Sequence, residues 1–377
     1  MLGQGRPIEI RREEEHGGLR YRECGAIASK GEGDNLGLIL EKEAYVRSHP
    51  SIRKKKVRYM KALITGITGF VGSHLAEFLL QRKIEVHGIK RWRSNVALIS
   101  GVLKEVHLHD GDLRDANAMI RVIRSVSPDY IFHLGAQSYV PASFVCPVDT
   151  FETNAYGTIN LLEAVRISGI DPHIHICSSS EVYGQVLPEE TPIKETNMFR
   201  PSSPYAVSKV AEDMIGYQYF ASYKLKTVRT RAFTHTGPRR GEVFVESTSA
   251  KQIADIEKGK QEPVLRLGNL DSIRTFLDVR DICEAYYLCA VQGVPGEVYN
   301  VGGNRTMSVR EMLDYLLSLT PVKIKVEVDA ARLRPSDVTL QIPDISKFVK
   351  RTGWAPKIPF EKTMQDLLEY WRQAANS

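Results

Sequence analysis

The stretch that most narrows the fold begins at Lys61 and reads KALITGITGFVGSHLAEFLLQRK. An apolar run, Ala62–Ile64, ends in three glycines spaced by two residues, Gly66, Gly69 and Gly72. A period-3.6 apolar pattern follows at Val71, Leu75, Phe78 and Leu79. A buried parallel strand, a tight turn and an amphipathic helix meet these demands in that order. The first glycine allows the sharp turn. The second lets backbone come close to a pyrophosphate, and the third lets helix and strand pack closely. The helix N–H groups then face the phosphate.

Further strand-and-helix alternation extends the unit. Strands are expected at Glu85–Ile89, Glu105–His109, Tyr130–Leu134 and Thr227–Ala232. Helices are expected over Asn154–Ser168, Tyr205 to about Tyr219, Asp278–Val291, Thr306–Leu319, Ile345–Thr352 and Phe360–Ala375. Val298–Gly302 reads as a short strand, and Lys323–Val328 alternates like an exposed one. Repeated βαβ units with right-handed crossovers give an α/β class, a Rossmann-type doubly wound parallel sheet. The polar, Gly/Pro-marked segment from Phe233 interrupts the pattern. The expected organisation is therefore a nucleotide-binding domain at 61–232, with 276–301 returning to it. Residues 233–275 and 302–377 form a smaller C-terminal substrate lobe.

Composition excludes some classes. Hydrophobic content of 42% and charged content of 25% suit a soluble globular protein. No apolar run reaches about eighteen residues, so no membrane helix is expected. The first twenty residues are charged and lack the apolar segment of a signal peptide. Five cysteines, an odd number with no CxxC pair, favour a reducing, cytoplasmic setting and no structural metal. Of the net charge of +6, residues 1–59 contribute 13 basic against 9 acidic residues. That tail lacks apolar periodicity beyond a short helical stretch near Leu38–Val46, and reads as a weakly ordered extension. A start at Met60 would leave a complete α/β protein. The basic run Arg53–Arg58 is a solvated face or a nucleic-acid arm, and the first reading is preferred.

The chemistry concentrates between Cys177 and Lys209. A strand ending in Ser178-Ser179-Ser180-Glu181 delivers hydroxyls and one carboxylate to a sheet edge. Tyr205 and Lys209 then sit one helical turn apart on one face. The cation favours the phenolate, so Tyr205 is expected to give or take a proton near neutral pH. After the second strand, Lys90-Arg91-Trp92-Arg93 stands where an acid would select NAD. Basic side chains there suit a 2′-phosphate and point to NADP, with Arg91 as the contact. Asp112 follows the third strand, where an acid can reach adenine. His133, inside the fourth strand, reads as a packed core residue. The cofactor set is Gly66, Thr68, Gly69, Phe70, Val71, Gly72, Arg91, Asp112, Leu113, Leu134, Ala136, Gln137, Tyr205 and Lys209.

With the glycine triplet, SSSEVYG and Tyr205-x-x-x-Lys209 in order, the chain resembles the extended short-chain dehydrogenase/reductases that act on nucleotide sugars. The likeness runs from residue 61 to about 373. Within that group GITGFVGSHL, HLGAQS, HTGPRRGE, LGNLDSIRTFLDVRD, LRPSDV and TGWAPKIPFE are most similar to GDP-mannose 4,6-dehydratases and GDP-4-keto-6-deoxy-mannose reductases. The resemblance implies that Tyr205 removes the sugar O4 proton and that Lys209 holds the nicotinamide ribose. It implies that Ser179 stands where the dehydratases have a Thr bonding O4, and that Glu181 takes the C5 proton. Ser138, Thr234, Arg240, Arg274 and Arg334 are the implied substrate contacts, with the last two gripping the diphosphate. The expected reaction is conversion of GDP-mannose to GDP-4-keto-6-deoxy-mannose: C4 oxidation, loss of water across C5 and C6, and hydride return to C6. Alternatives are the NADPH-dependent reductase of that keto sugar and a nucleotide-sugar C4 epimerase. A silent NADP-sensing module would not need Tyr205, Lys209 and Glu181 together. Thr234 replaces an Asn common in the dehydratases. Relatives form homodimers or homotetramers. No nucleic-acid or membrane partner is expected.

Overall fold

A computed structural model describes residues 59–329, 332 and 338–376. The N-terminal extension up to Arg58, the stretch Leu38–Val46 and Arg334 lie outside the described residues.

Seven strands form the central sheet: β1 Lys61–Thr65, β2 Glu85–Lys90, β3 His107–Asp110, β4 Tyr130–His133, β5 His173–Ser179, β6 Lys226–Ala232 and β7 Val298–Val301. Their order is β7-β6-β5-β4-β1-β2-β3, and every neighbouring pair is parallel. Chain order reverses between β1 and β4, which opens a crevice at the strands' carboxyl ends.

The helices are α1 Phe70–Gln81, α2 Ala116–Val126, α3 Val140–Val145, α4 Pro147–Phe151, α5 Gly157–Ser168, α6 Pro204–Tyr223, α7 Val245–Glu257, α8 Val279–Gln292, α9 Val309–Ser318, α10 Ser346–Thr352 and α11 Phe360–Asn376. On one sheet face, Leu75 and Leu79 of α1 pack with Ile282 and Tyr286 of α8. On the other, Met119 and Val122 of α2, Leu161 and Val165 of α5 and Tyr219 of α6 cover Leu63 and Ile174. Both faces are thus buried, which is why β1 reads as an unbroken apolar run. A separate core joins Ile253 of α7, Leu313 and Leu316 of α9, and Met364 and Leu367 of α11.

The expected α/β architecture stands, and the element boundaries differ where tertiary pairing intervenes. Residues 306–308 are a strand antiparallel to Ile273–Thr275, so the helix expected from Thr306 begins at Val309. Ser308 caps it, with Glu311 completing a capping box. The helix expected from Asn154 begins as a π-turn, Glu152–Tyr156, before α5. β3 starts at His107 rather than Glu105. α6 runs on to Tyr223, where Lys224 closes it in the left-handed region.

His133 is a core residue, bonded to Thr65 Oγ1 at 2.8 Å and Thr158 Oγ1 at 2.9 Å. His175 bonds Thr230 Oγ1 at 2.8 Å. Burial pushes both imidazoles down from 6.5 to about 3. Because the folded pKa is depressed, the unfolded chain binds these protons first. The stabilisation is complete above about pH 6.5 and is lost as pH falls from there toward 3. Thermal unfolding should therefore move to lower temperature between about pH 7 and about pH 5. A His175→Gln variant should show a shallower pH dependence of its melting midpoint. An equal slope in the variant would remove His175 from this account.

Candidate active site

The glycine turn builds one wall of the cleft. Gly66 has φ +73°, and a Cβ there would meet Gly135 Cα at 2.9 Å. A Cβ at Gly72 would lie 2.2 Å from the Gly66 carbonyl oxygen and 2.8 Å from Ile67 Cα. α1 therefore starts hard against β1. Its N-cap, Gly69, supplies no side-chain bond, and its first turn holds no acid. The orphan N–H groups of that turn face the cleft with nothing negative beside them, which suits an anion such as a pyrophosphate.

The cleft has a volume of about 580 Å³. It is lined by every expected cofactor residue, and by Ser179, Glu181, Ser138, Thr234, Arg240 and Arg274. Arg334 is the one expected site residue outside the described set. Among the described residues, no group of three or more His, Cys, Asp or Glu side chains is placed to hold a metal ion.

At the β2 end, the basic run divides. Lys90 pairs with Asp110. The Arg93 guanidinium lies over the Trp92 ring, 4.5 Å from its centroid. Arg91 is exposed and lines both the main cleft and a shallower one beside it. Asp112 is held by Arg114, whose Nη2 lies 2.9 Å from Oδ2, and this contact keeps its carboxyl below the usual range. Beyond β4, Gln137 shapes the loop: its N–H donates to Asn154 Oδ1 at 2.8 Å. Asn154 sits in the π-turn and also donates to Ser208 Oγ on α6 at 2.9 Å.

The reacting end joins β5 to α6. β5 ends at Ser179, whose Oγ accepts the Glu181 N–H at 3.2 Å and starts a 3₁₀ turn. That turn places Glu181 in the cleft. α6 is capped by Ser203 and begins with Pro204, so Tyr205 and Lys209 both point inward, 8% and 4% exposed. Lys209 Nζ donates to the Cys177 carbonyl and to Glu212 Oε2, each at 2.7 Å. Burial is the largest single influence on that ammonium and works against it, but Glu212, Tyr205 and Cys177 together outweigh it and hold Lys209 protonated.

The expected phenolate needs correction. Burial pushes the Tyr205 phenol above its ordinary range, against the pull of Lys209 and of the nearby Ser179 hydroxyl. Lys209 does act in the expected direction, but desolvation of a buried phenol is the larger effect.

Several residues of the site escaped the sequence reading. Glu212 is buried beside Lys209, and the spacing of three was its only signal. Glu246, in the first turn of α7, lies 3.3 Å from Arg240 Nε without hydrogen-bond alignment. The Arg240 guanidinium rests over Phe244, 3.5 Å from the ring centroid. His235 stacks on Phe70 with an interplanar angle of 5°. Burial lowers the His235 imidazole to about 4, so this cleft-lining ring is neutral.

Comparison with known proteins follows the same outline. Residues 63–367 match the family described as GDP-mannose 4,6 dehydratase. A GDP-mannose 4,6-dehydratase of Yersinia enterocolitica is 36% identical over 348 residues, covering 82% of this chain and 92% of the relative. A GDP-6-deoxy-D-mannose reductase of Pseudomonas aeruginosa is 31% identical, covering 82% and 97%. The solved structure of RMD from Pseudomonas aeruginosa complexed with NADPH superposes with a TM-score of 0.72. It is 29% identical, with coverage of 84% of this chain and 99% of that one.

The Gly72 contacts generate a direct expectation. Gly72→Ala should cost on the order of 1–3 kcal/mol and lower the melting temperature by several degrees. Gly101→Ala, where a Cβ meets nothing within 4 Å, should leave it almost unchanged. Equal melting temperatures for the two variants would contradict the packing described.

Proposed function

We propose, for a chain that belongs to the GDP-mannose 4,6-dehydratase family, that it converts GDP-mannose to GDP-4-keto-6-deoxy-mannose with NADP as resident cofactor. The observation that carries this reading is a carboxylate, Glu181, in the same cleft as Tyr205, Ser179 and Lys209. Elimination across C5 and C6 needs an acid–base group that simple oxidation at C4 does not.

The lining of the cleft fits the cofactor: the uncapped helix N-terminus would take the pyrophosphate and Arg91 the 2′-phosphate, with Leu134 and Ala136 lining the same cleft. When bound, NADP supplies a hydride acceptor for C4 and a hydride donor for C6. Tyr205 removes the O4 proton, with Ser179 aligning O4 and Lys209 stabilising the phenolate. A 4-keto group acidifies the C5 hydrogen, so Glu181 can remove it and pass a proton to the departing C6 hydroxyl. Arg274, Arg240, Ser138 and Thr234 hold the sugar nucleotide. Arg334 belongs to the same set by its LRPSDV sequence. We assign cofactor binding to 61–232 with 276–301, and substrate binding mainly to 233–275 and 302–377.

A homodimer, alone or as half of a tetramer, is the proposed assembly. Phe144, Val145, Val148 and Tyr156 are exposed beside Val207, Met214 and Tyr217 of α6, an apolar face of the kind that pairs in oligomers. No described helix is long and apolar enough to cross a membrane. The described cysteines are all free, in keeping with a reducing cytoplasm.

The second reading, reduction of a 4-keto-6-deoxy sugar nucleotide, is favoured by the 31% identity to a reductase. Purified protein given GDP-mannose and catalytic NADP, followed by NMR, separates the two. The expected result is a 4-keto-6-deoxy product without net nicotinamide change, and a loss of about 10²–10⁴ in kcat for Glu181→Gln. NADPH consumption with the keto sugar, and no reaction of GDP-mannose, would replace the dehydratase by the reductase. In sedimentation, the double variant Val148→Glu/Tyr217→Glu should be a monomer; an unchanged dimer would place the interface elsewhere.

A further inference from the structure

Tyr205, Lys209 and Glu212 occupy positions i, i+4 and i+7 of α6, one stripe running from the cleft into the core. Glu212 is at the inner end, 1% exposed. The ammonium of Lys209 has three donors. Among the described hydrogen bonds, Glu212 and the Cys177 carbonyl take two, each at 2.7 Å. The third is left for whatever occupies the cleft that Lys209 lines. We propose that Glu212 is a positioning residue for the reaction: it holds Lys209 at the floor of the cleft, and its negative charge offsets the cation that Tyr205 feels. This rests on Tyr205 being the base.

Burial pushes the Glu212 carboxyl up to about 7 against the pull of Lys209, so its negative charge is complete only above neutral pH, still well below the range in which Tyr205 titrates. Facing the pair are His133 from β4, His175 and Cys177 from β5, Tyr286 from α8, Arg240 from the segment after β6, and Asp213 on α6. Burial keeps both imidazoles, the thiol and the Tyr286 phenol neutral around pH 7. Arg240 keeps its charge throughout. Asp213 is bound to Arg229 at 2.6 Å and to Arg231 at 2.8 Å. Lys209 lowers the Tyr205 phenol and Glu212 raises it. Above about pH 7, where Glu212 is ionised, a buried pair close to net neutrality therefore gives Tyr205 less help than a lone lysine would, and the enzyme works best on the alkaline side. Removing the carboxylate's charge while keeping its volume should release the full effect of the cation.

The test uses the full chain with Glu212→Gln, which keeps an acceptor for Lys209, and Glu212→Met, which keeps only the volume. Tyr205 is titrated by ultraviolet phenolate absorbance as the difference from the same protein carrying Tyr205→Phe, a readout that needs no substrate. The expected result is a shift of the Tyr205 titration, and of the acid limb of the pH–rate profile, to lower pH by about one unit in both variants. NADP affinity should weaken only in Glu212→Met, where Lys209 loses its anchor. A titration that stays in place, with activity simply falling, would overturn the proposal, as would failure of both variants to fold. If the parent turns over no sugar nucleotide but the titration still shifts, the reaction assignment fails and the role of Glu212 stands.

Discussion

Helix α6 turns Tyr205, Lys209, Glu212 and Asp213 inward against β5 and β6, and the rest of the site is placed relative to that clamp. Lys209 and Glu212 are 4% and 1% exposed, so each would be costly to bury alone. Together, with the Cys177 carbonyl as a further acceptor, they pin the helix to the end of β5. Asp213 does the same against β6 through Arg229 and Arg231. A buried pair of this kind adds little to net stability over an apolar one, but losing one partner is severe. Such a contact therefore sets position more than stability. The phenol at the mouth of the helix inherits that position.

The sheet supplies the other half of the geometry. Parallel strands bring all their carboxyl ends to one edge, and the reversal between β1 and β4 opens it. The glycine turn after β1 and the Ser179–Glu181 turn after β5 meet the cleft from its two sides. The end of the cleft at the glycine turn presents uncapped backbone N–H groups. The end at Ser179 and Tyr205 presents buried side chains whose charges are offset locally. Cofactor and sugar nucleotide can thus be held by different physics within a single cleft.

How much of this was legible depended on the range of the interactions involved. The β1–α1 turn was readable because its signal is local: an apolar run, spaced glycines and a 3.6 period. Tyr205 and Lys209 were readable as neighbours on one helical face. The start of α9 was misplaced because pairing of residues 306–308 with Ile273–Thr275 is non-local. The π-turn at Asn154 answers to its bonds with Gln137 and Ser208, which no periodicity reveals. Glu212 looks like any solvated acid in the sequence; only the packing of α6 onto β5 makes it a buried partner. The phenol's net direction was missed for the same reason, since spacing reports the lysine and is silent about desolvation. Thr234, by contrast, was noticed as a departure from the family's Asn, and it does line the cleft.

The account's central claim is that one cleft carries out oxidation, elimination and reduction on a single sugar without releasing it. Mixing GDP-mannose deuterated at C4 with undeuterated GDP-mannose carrying a distinguishable carbon label, and analysing the product by mass spectrometry, tests it directly. The account predicts deuterium at C6 only in molecules that began with it at C4. Deuterium scrambled into the carbon-labelled product, or lost to free nicotinamide, would contradict it.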